Sequence, residues 1–360
     1  MKNILDYLNE YGDRTFYDLP WNEVDGLILS QFAYFRWNNV IPGFLKDEDG
    51  VSLTEMTENL DAAYVYESQL YPADNKKLLD AMLKGRRFGS MRCNFYSEET
   101  SEDVEMQFAA FTCFLKGALP VIVFRGTDGT VVGWREDFNM AFKRPIAGQR
   151  LAALYVNQAA LRIHGDFMVA GHSKGGNLAA FSAMSAVTGI RERINRIYSY
   201  DGPGFRREIL DEYGYENIAS RVCKFLPQSS MVGILLEGSK DYVTVKSKAV
   251  GGALQHNPYS WEVDDITFVK AGEIKRSSIR MHRSMNQWVC ELDDRQLEMF
   301  ISTLFDVVSA SGAKDIPEIM ADKKSWLRSV HEASKTLDEE QRENFIKIMK
   351  ELFNAFYQNR

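Results

Sequence analysis

Cysteine, histidine and proline are scarce in this sequence of 360 residues, and it has no long hydrophobic run. The four cysteines, Cys93, Cys113, Cys223 and Cys290, are scattered with no C-x-x-C pair. They read as reduced, mostly buried thiols of a cytoplasmic protein, not as a disulfide framework or a metal site. No apolar stretch approaches about 18 residues, so neither a spanning helix nor stable membrane insertion is expected. Acids stand in the first ten residues, where a signal peptide would carry its apolar stretch. Positive charge is in deficit: 43 Lys and Arg against 50 Asp and Glu leave a net charge of −7. That argues against nucleic acid, or an anionic membrane, as a bulk electrostatic partner. Repeats, low-complexity tracts and long linkers are absent as well. What is present is a core-rich composition, 45% hydrophobic and 26% charged, in a chain long enough to fold without staples.

Residues 1–87 mix short helical patterns with aromatics. Val24, Leu27, Ile28, Phe32 and Phe35 follow helical spacing, with Trp21 and Trp37 flanking them. From 88 to 282 strand-like and helix-like segments alternate. Strands are expected at Met106–Leu115, Val121–Phe124, Phe167–Ala170, Ile194–Tyr200, Val222–Leu226 and Ile266–Lys270, and helices at Gln149–Ile163 and Asn177–Val187. Such alternation implies an α/β fold, a mostly parallel sheet flanked by helices, with helical additions at both ends. The extension 283–360 carries two apolar stripes, Leu297–Phe300–Leu304–Val307 and Phe345–Ile348–Met349–Leu352–Phe353–Phe356. The second is suited either to packing on the sheet domain or to a homodimer interface.

Chemistry concentrates in Gly171-His172-Ser173-Lys174-Gly175-Gly176-Asn177. A bare G-x-S-x-G turns up by chance in about one chain of this length in ten. Here it follows an apolar strand and opens a small-residue helix, which is the setting of a nucleophile elbow. A serine hydroxyl needs a base to take its proton, and the base needs an acid to orient it. In elbow hydrolases the three follow in the order Ser, Asp or Glu, His. Asp201 ends the next expected strand, on the sheet edge that Ser173 occupies. Of the five histidines, His164 and His172 precede the serine and His331 lies in the C-terminal helical region. His172 is expected to pack beneath the turn. His256, in a polar loop with Pro258, is preferred over His282 as the base. Oxyanion donors are expected at the N–H of Lys174 and at Thr127, by its N–H and hydroxyl, where Val121–Phe124 runs into Arg125-Gly126-Thr127.

These segments resemble the lipase class 3 branch of the α/β-hydrolases: Phe124-Arg125-Gly126-Thr127 with Trp134 and Asp137 for the oxyanion block, Gly171 to Gly175 for the elbow. With Gln107-Phe-Ala-Ala, Gly133-Trp-Arg-Glu-Asp-Phe-Asn139 and Gln255-His-Asn-Pro-Tyr-Ser-Trp261 added, the chain from about 20 to 265 is similar to a bacterial family, the Mbeg-like proteins. The resemblance implies an α/β-hydrolase fold with Ser173 as nucleophile and Thr127 in the oxyanion hole. It implies no substrate. Two positions depart from the lipase pattern. The segment Phe225-Leu-Pro-Gln-Ser-Ser230-Met-Val-Gly233 has no acid, so either Asp201 takes that role or the triad is degraded. Lys174 stands where lipases carry an apolar residue, either as a solvated side chain, the preferred reading, or as an attractor of an acidic headgroup. The segment from about 231 to 255, beginning Met231-Val-Gly-Ile-Leu-Leu-Glu-Gly238, is apolar enough for a lid, an acyl-binding wall or plain core.

The expectation is thus a cytoplasmic serine hydrolase with Ser173, Asp201 and His256 as its triad, acting on a small acyl ester or lipid without metal or cofactor. Gly126, Gly171 and Gly175 shape its turns. A silent binding module and an acyltransferase using the same site are the alternatives.

Overall fold

The computed structural model describes residues 1–310 apart from 47–48, 59, 68, 239–240 and 253, and short pieces between 328 and 346. Eight strands form the central sheet in chain order: β1 (Val51–Ser52), β2 (Arg92–Ser101), β3 (Met106–Phe114), β4 (Val121–Phe124), β5 (Phe167–His172), β6 (Ile194–Tyr200), β7 (Val222–Pro227) and β8 (Val243–Val245). The pairings up to β3–β4 are antiparallel, and β4 through β8 run parallel. The main helices are α1 (Ile4–Tyr11), α2 (Glu23–Phe32), α3 (Pro72–Lys84), α4 (Val131–Asn139), α5 (Ala147–Ala160), α6 (Lys174–Ser185), α7 (Arg207–Tyr213), α8 (Arg276–Glu291) and α9 (Asp294–Ala310). This is the expected α/β architecture.

Because β4 to β8 step in one direction, right-handed crossovers put their helices on one face. That face carries Ile122, Phe124, Val169 and Ile197 against Ala152, Tyr155 and Val156 of α5, Leu178 and Phe181 of α6 and Ile209 of α7. The alternate residues, Val121, Val123, Met168, Ala170 and Tyr198, face the other way. Among the described residues no crossover helix joins that cluster, and the start of the chain covers them instead: Ile4 and Leu8 of α1, Val24, Leu27 and Ile28 of α2 and Leu78 of α3 share it, with Trp261 and Phe268. Asp25 and Arg87 clamp this layer. Their side chains are fully buried and doubly bonded, at 2.5 and 2.7 Å.

The expected bounds of β4 and β6 agree with the structure, and β3, β5, β7, α5 and α6 differ only at their ends. Ile266–Lys270 does not join the main sheet: Thr267–Phe268 (β10) pairs with Val263–Asp264 (β9) as a separate hairpin. Leu297 and Phe300 are buried in a third cluster, where α8 and α9 meet Trp134 and Phe138 of α4. The side chains of Leu304 and Val307, and the stripe from Phe345 to Phe356, lie outside the described residues.

Candidate active site

The elbow is built as its sequence requires. β5 ends at His172, α6 begins at Lys174, and Ser173 between them sits at φ 58°, ψ −132°. A side chain held at positive φ costs about 1–3 kcal/mol and persists only where its surroundings impose it. Here Ser173 N–H donates to the Tyr200 carbonyl at 2.9 Å, bracing the turn on β6. A Cβ at Gly171 would overlap the Gly175 carbonyl, and one at Gly175 would overlap the Phe124 carbonyl. Both glycines let β4, β5 and α6 meet at the edge where Ser173 lies.

Asp201 continues β6 at φ 47°, fully buried. His256 closes a short 3-10 turn, Leu254–His256, and its Nδ1 lies 2.6 Å from Asp201 Oδ2. The carboxylate accepts, so in the neutral imidazole Nδ1 carries the proton and Nε2 keeps the lone pair. Asp201 Oδ1 accepts twice more, from Ser230 Oγ at 2.5 Å and Gly233 N–H at 3.1 Å. The segment that lacks an acid therefore supplies donors to the acid on the neighbouring strand. Met231–Gly238 forms no regular element and wraps this carboxylate; Leu235 and Glu237 also bond to Gly204 and Phe205. Asn177 Nδ2 donates to the carbonyls of Pro203 and Gly204, fixing the turn after Asp201.

His256 lies beside the elbow: the rings of His172 and His256 are 4.5 Å apart, and His172 Nε2 is 2.9 Å from the His256 carbonyl. His282 is elsewhere, with Nε2 against Asn286 at 2.9 Å and the Leu236 carbonyl at 3.4 Å. Burial lowers its pKa, and Lys224 and Arg283 add to the effect. His164 and His331 are exposed.

Two expectations need correction. The Lys174 side chain is not solvated: it is fully buried, and Nζ donates to Glu136 Oε2 at 2.7 Å and the Gln107 carbonyl at 2.8 Å. Glu136 also accepts from the N–H groups of Gly148 and Gln107. A cation that would be costly on an apolar helix face is thus matched by a carboxylate from α4. The Thr127 hydroxyl is also committed, donating to Asp137 Oδ2 at 2.6 Å. The backbone N–H groups of Thr127 and Lys174 form no hydrogen bond among the described residues. Asp137 Oδ1 is buried without a partner among the described residues. Burial, opposed by Lys174 and the Thr127 hydroxyl, pushes the Asp137 carboxyl up to about 6. Among the described residues no three His, Cys, Asp or Glu side chains group as a metal site, and no helix is long and apolar enough to cross a membrane.

Ser230 and Tyr34, both in contact with these groups, belong to none of the motifs. Ser230 is legible only as a hydroxyl just past the strand next to β6.

Comparison with known proteins adds a family. No curated protein matches the chain. Among solved structures it is similar to M37 lipase, at 16% identity over 59% of this chain and 70% of that one, with a TM-score of 0.38. The sequence profile of the Mbeg1-like family matches residues 82–306, well over half of the chain. The protein belongs to the Mbeg1-like family.

Proposed function

We propose that this protein is a serine hydrolase that cleaves a carboxylic ester through an acyl-enzyme. The observation that carries the reading is the Asp201–His256 contact of 2.6 Å beside a serine held at positive φ. Ser173 Oγ attacks the ester carbonyl carbon while His256 Nε2 takes its proton. Asp201 holds the resulting imidazolium in place. The tetrahedral oxyanion is received by the N–H groups of Thr127 and Lys174, each worth about 2.7–4 kcal/mol in such a site. The intermediate collapses, the alkoxide leaves with the proton from His256, and water repeats the sequence to release the acid. The Thr127 hydroxyl does not bind the oxyanion; bonded to Asp137, it holds its own backbone N–H in position.

Intact-mass labelling by a fluorophosphonate tests this. One adduct is expected on the wild type and none on Ser173→Ala. Asp201→Asn should label about 10³–10⁴-fold more slowly, because Nδ1 then faces a poorer acceptor. Folded wild type left unmodified with detergent present would refute the hydrolase reading and leave the binding module. An ester panel would then define the acyl group.

A further inference from the structure

The pair formed by Tyr34 and His172 has no role in the chemistry above, yet it lies where the elbow, the oxyanion turn and the turn bearing His256 meet. Tyr34 follows α2, and His172 is the last residue of β5; both are buried. The Tyr34 hydroxyl lies 3.0 Å from His172 Nδ1, and on the far side of the ring His172 Nε2 lies 2.9 Å from the His256 carbonyl. A Cβ at Gly126, one residue before Thr127, would overlap the Tyr34 hydroxyl and lie 2.6 Å from the His172 carbonyl. Oxyanion turn, elbow and the turn bearing the base therefore converge on this pair.

The network fixes the tautomer. A carbonyl only accepts, so His172 Nε2 must carry a proton. In the neutral ring Nδ1 is then bare and accepts from the Tyr34 hydroxyl. A second proton is opposed by burial, which lowers the His172 pKa well below its ordinary value, and then by His256 itself. Tyr34 stays protonated: burial raises its pKa, Tyr71, Asp137 and Asp128 add to this, and Arg125 opposes it.

We propose that His172 is a positioning residue: oriented by Tyr34, it fixes the turn that carries His256 by donating to that residue's carbonyl and packing against its ring. The function of the positioned base rests on the hydrolase reading; the positioning itself does not. Its loss leaves Asp201 and Ser173 in place but lets the 3-10 turn move, so the Asp201–His256 bond is made less of the time.

Two measurements on the full chain separate the two claims. In nitrogen–proton correlation spectra of labelled histidine, His172 should appear as the neutral Nε2–H tautomer at pH 7. The His256 Nδ1–H signal should be sharp in the wild type, broadened in His172→Phe and recovered in His172→Gln, whose amide keeps a donor. Tyr34→Phe, which removes only the hydroxyl, should leave the fold intact and mix the His172 tautomers. In parallel, fluorophosphonate labelling of Ser173 should slow about tenfold in His172→Phe, the equivalent of one lost hydrogen bond, and mostly recover in His172→Gln. A neutral Nδ1–H His172, which has no donor at Nε2, or a His256 signal unchanged in His172→Phe, overturns the positioning role whether or not Ser173 reacts. So does a Gln variant that is folded yet labels no faster than Phe. The expected spectra with no labelling of the wild type would instead refute the hydrolase and leave the positioning role standing.

Discussion

The ion pair between Lys174 and Glu136 is a sharp test of the electrostatics around the elbow. Both side chains are shielded from water, and the ammonium lies 2.7 Å from the carboxylate. Replacing Lys174 with Met keeps the length and apolar stem but leaves a buried carboxylate without its counter-charge. Breaking such a pair from one side costs about 3–5 kcal/mol, and Glu136→Gln alone should cost about as much by stranding the ammonium. The double variant Lys174→Met, Glu136→Gln removes both charges together. Its Gln oxygen can still accept from one of the two N–H groups that Glu136 serves, those of Gly148 and Gln107. The other is left unsatisfied, at about 1–3 kcal/mol. The double variant should therefore be more stable than either single one, and these costs correspond to a coupling energy of about 3–9 kcal/mol in urea unfolding followed by circular dichroism. Since the backbone N–H of residue 174 survives in Lys174→Met, its folded fraction should still label at Ser173. Single variants that each cost less than about 1 kcal/mol, or costs that simply add, would refute the buried pair and return Lys174 to solvent.

Lys224 makes a prediction with a defined pH window. Burial depresses its pKa from 10.5 to about 8, opposed by Asp201, so the unfolded chain binds more protons there between pH 8 and 10.5. Stability should rise with pH across that window, by about 3 kcal/mol from this residue. Lys224→Met should raise the urea midpoint at pH 7 and much less at pH 10; an equal gain at both would show that the amine is not the cause. Ser230→Ala removes one of the donors that Asp201 accepts. At about 1–1.5 kcal/mol it should slow Ser173 labelling by up to tenfold without blocking it, and a wild-type rate would mean that Gly233 and His256 hold the carboxylate by themselves.

Of the parallel strands, β4 to β7 were legible as short, mostly apolar runs, whereas β8, three residues with Thr244 at its centre, was not expected. The ten residues of β2 were not: only three of Arg92-Cys-Asn-Phe-Tyr-Ser-Glu-Glu-Thr-Ser are buried, and its pairing with β3 shifts register between Asn94 and Ser97. Ser173, Asp201 and His256 could be chosen because chain order and a shortage of histidines narrow the field. The fate of Lys174 could not, since its counter-charge stands 38 residues earlier on another helix. Nor could Ser230 or Tyr34 be read, because a hydroxyl that orients another side chain carries no spacing of its own.

The layer made by the start of the chain also has a consequence in time. α2 is ten residues long and nine of them are buried, so away from the sheet it is too short and too apolar to persist as a helix in water. Its seat is made by residues as late as Trp261 and Phe268, and Asn3 itself donates to the Tyr259 carbonyl. At about 5–20 residues per second, a ribosome needs on the order of ten seconds or more to reach them after α2 has emerged. α2 is thus made long before its seat exists, and its apolar face must be kept from other chains until then.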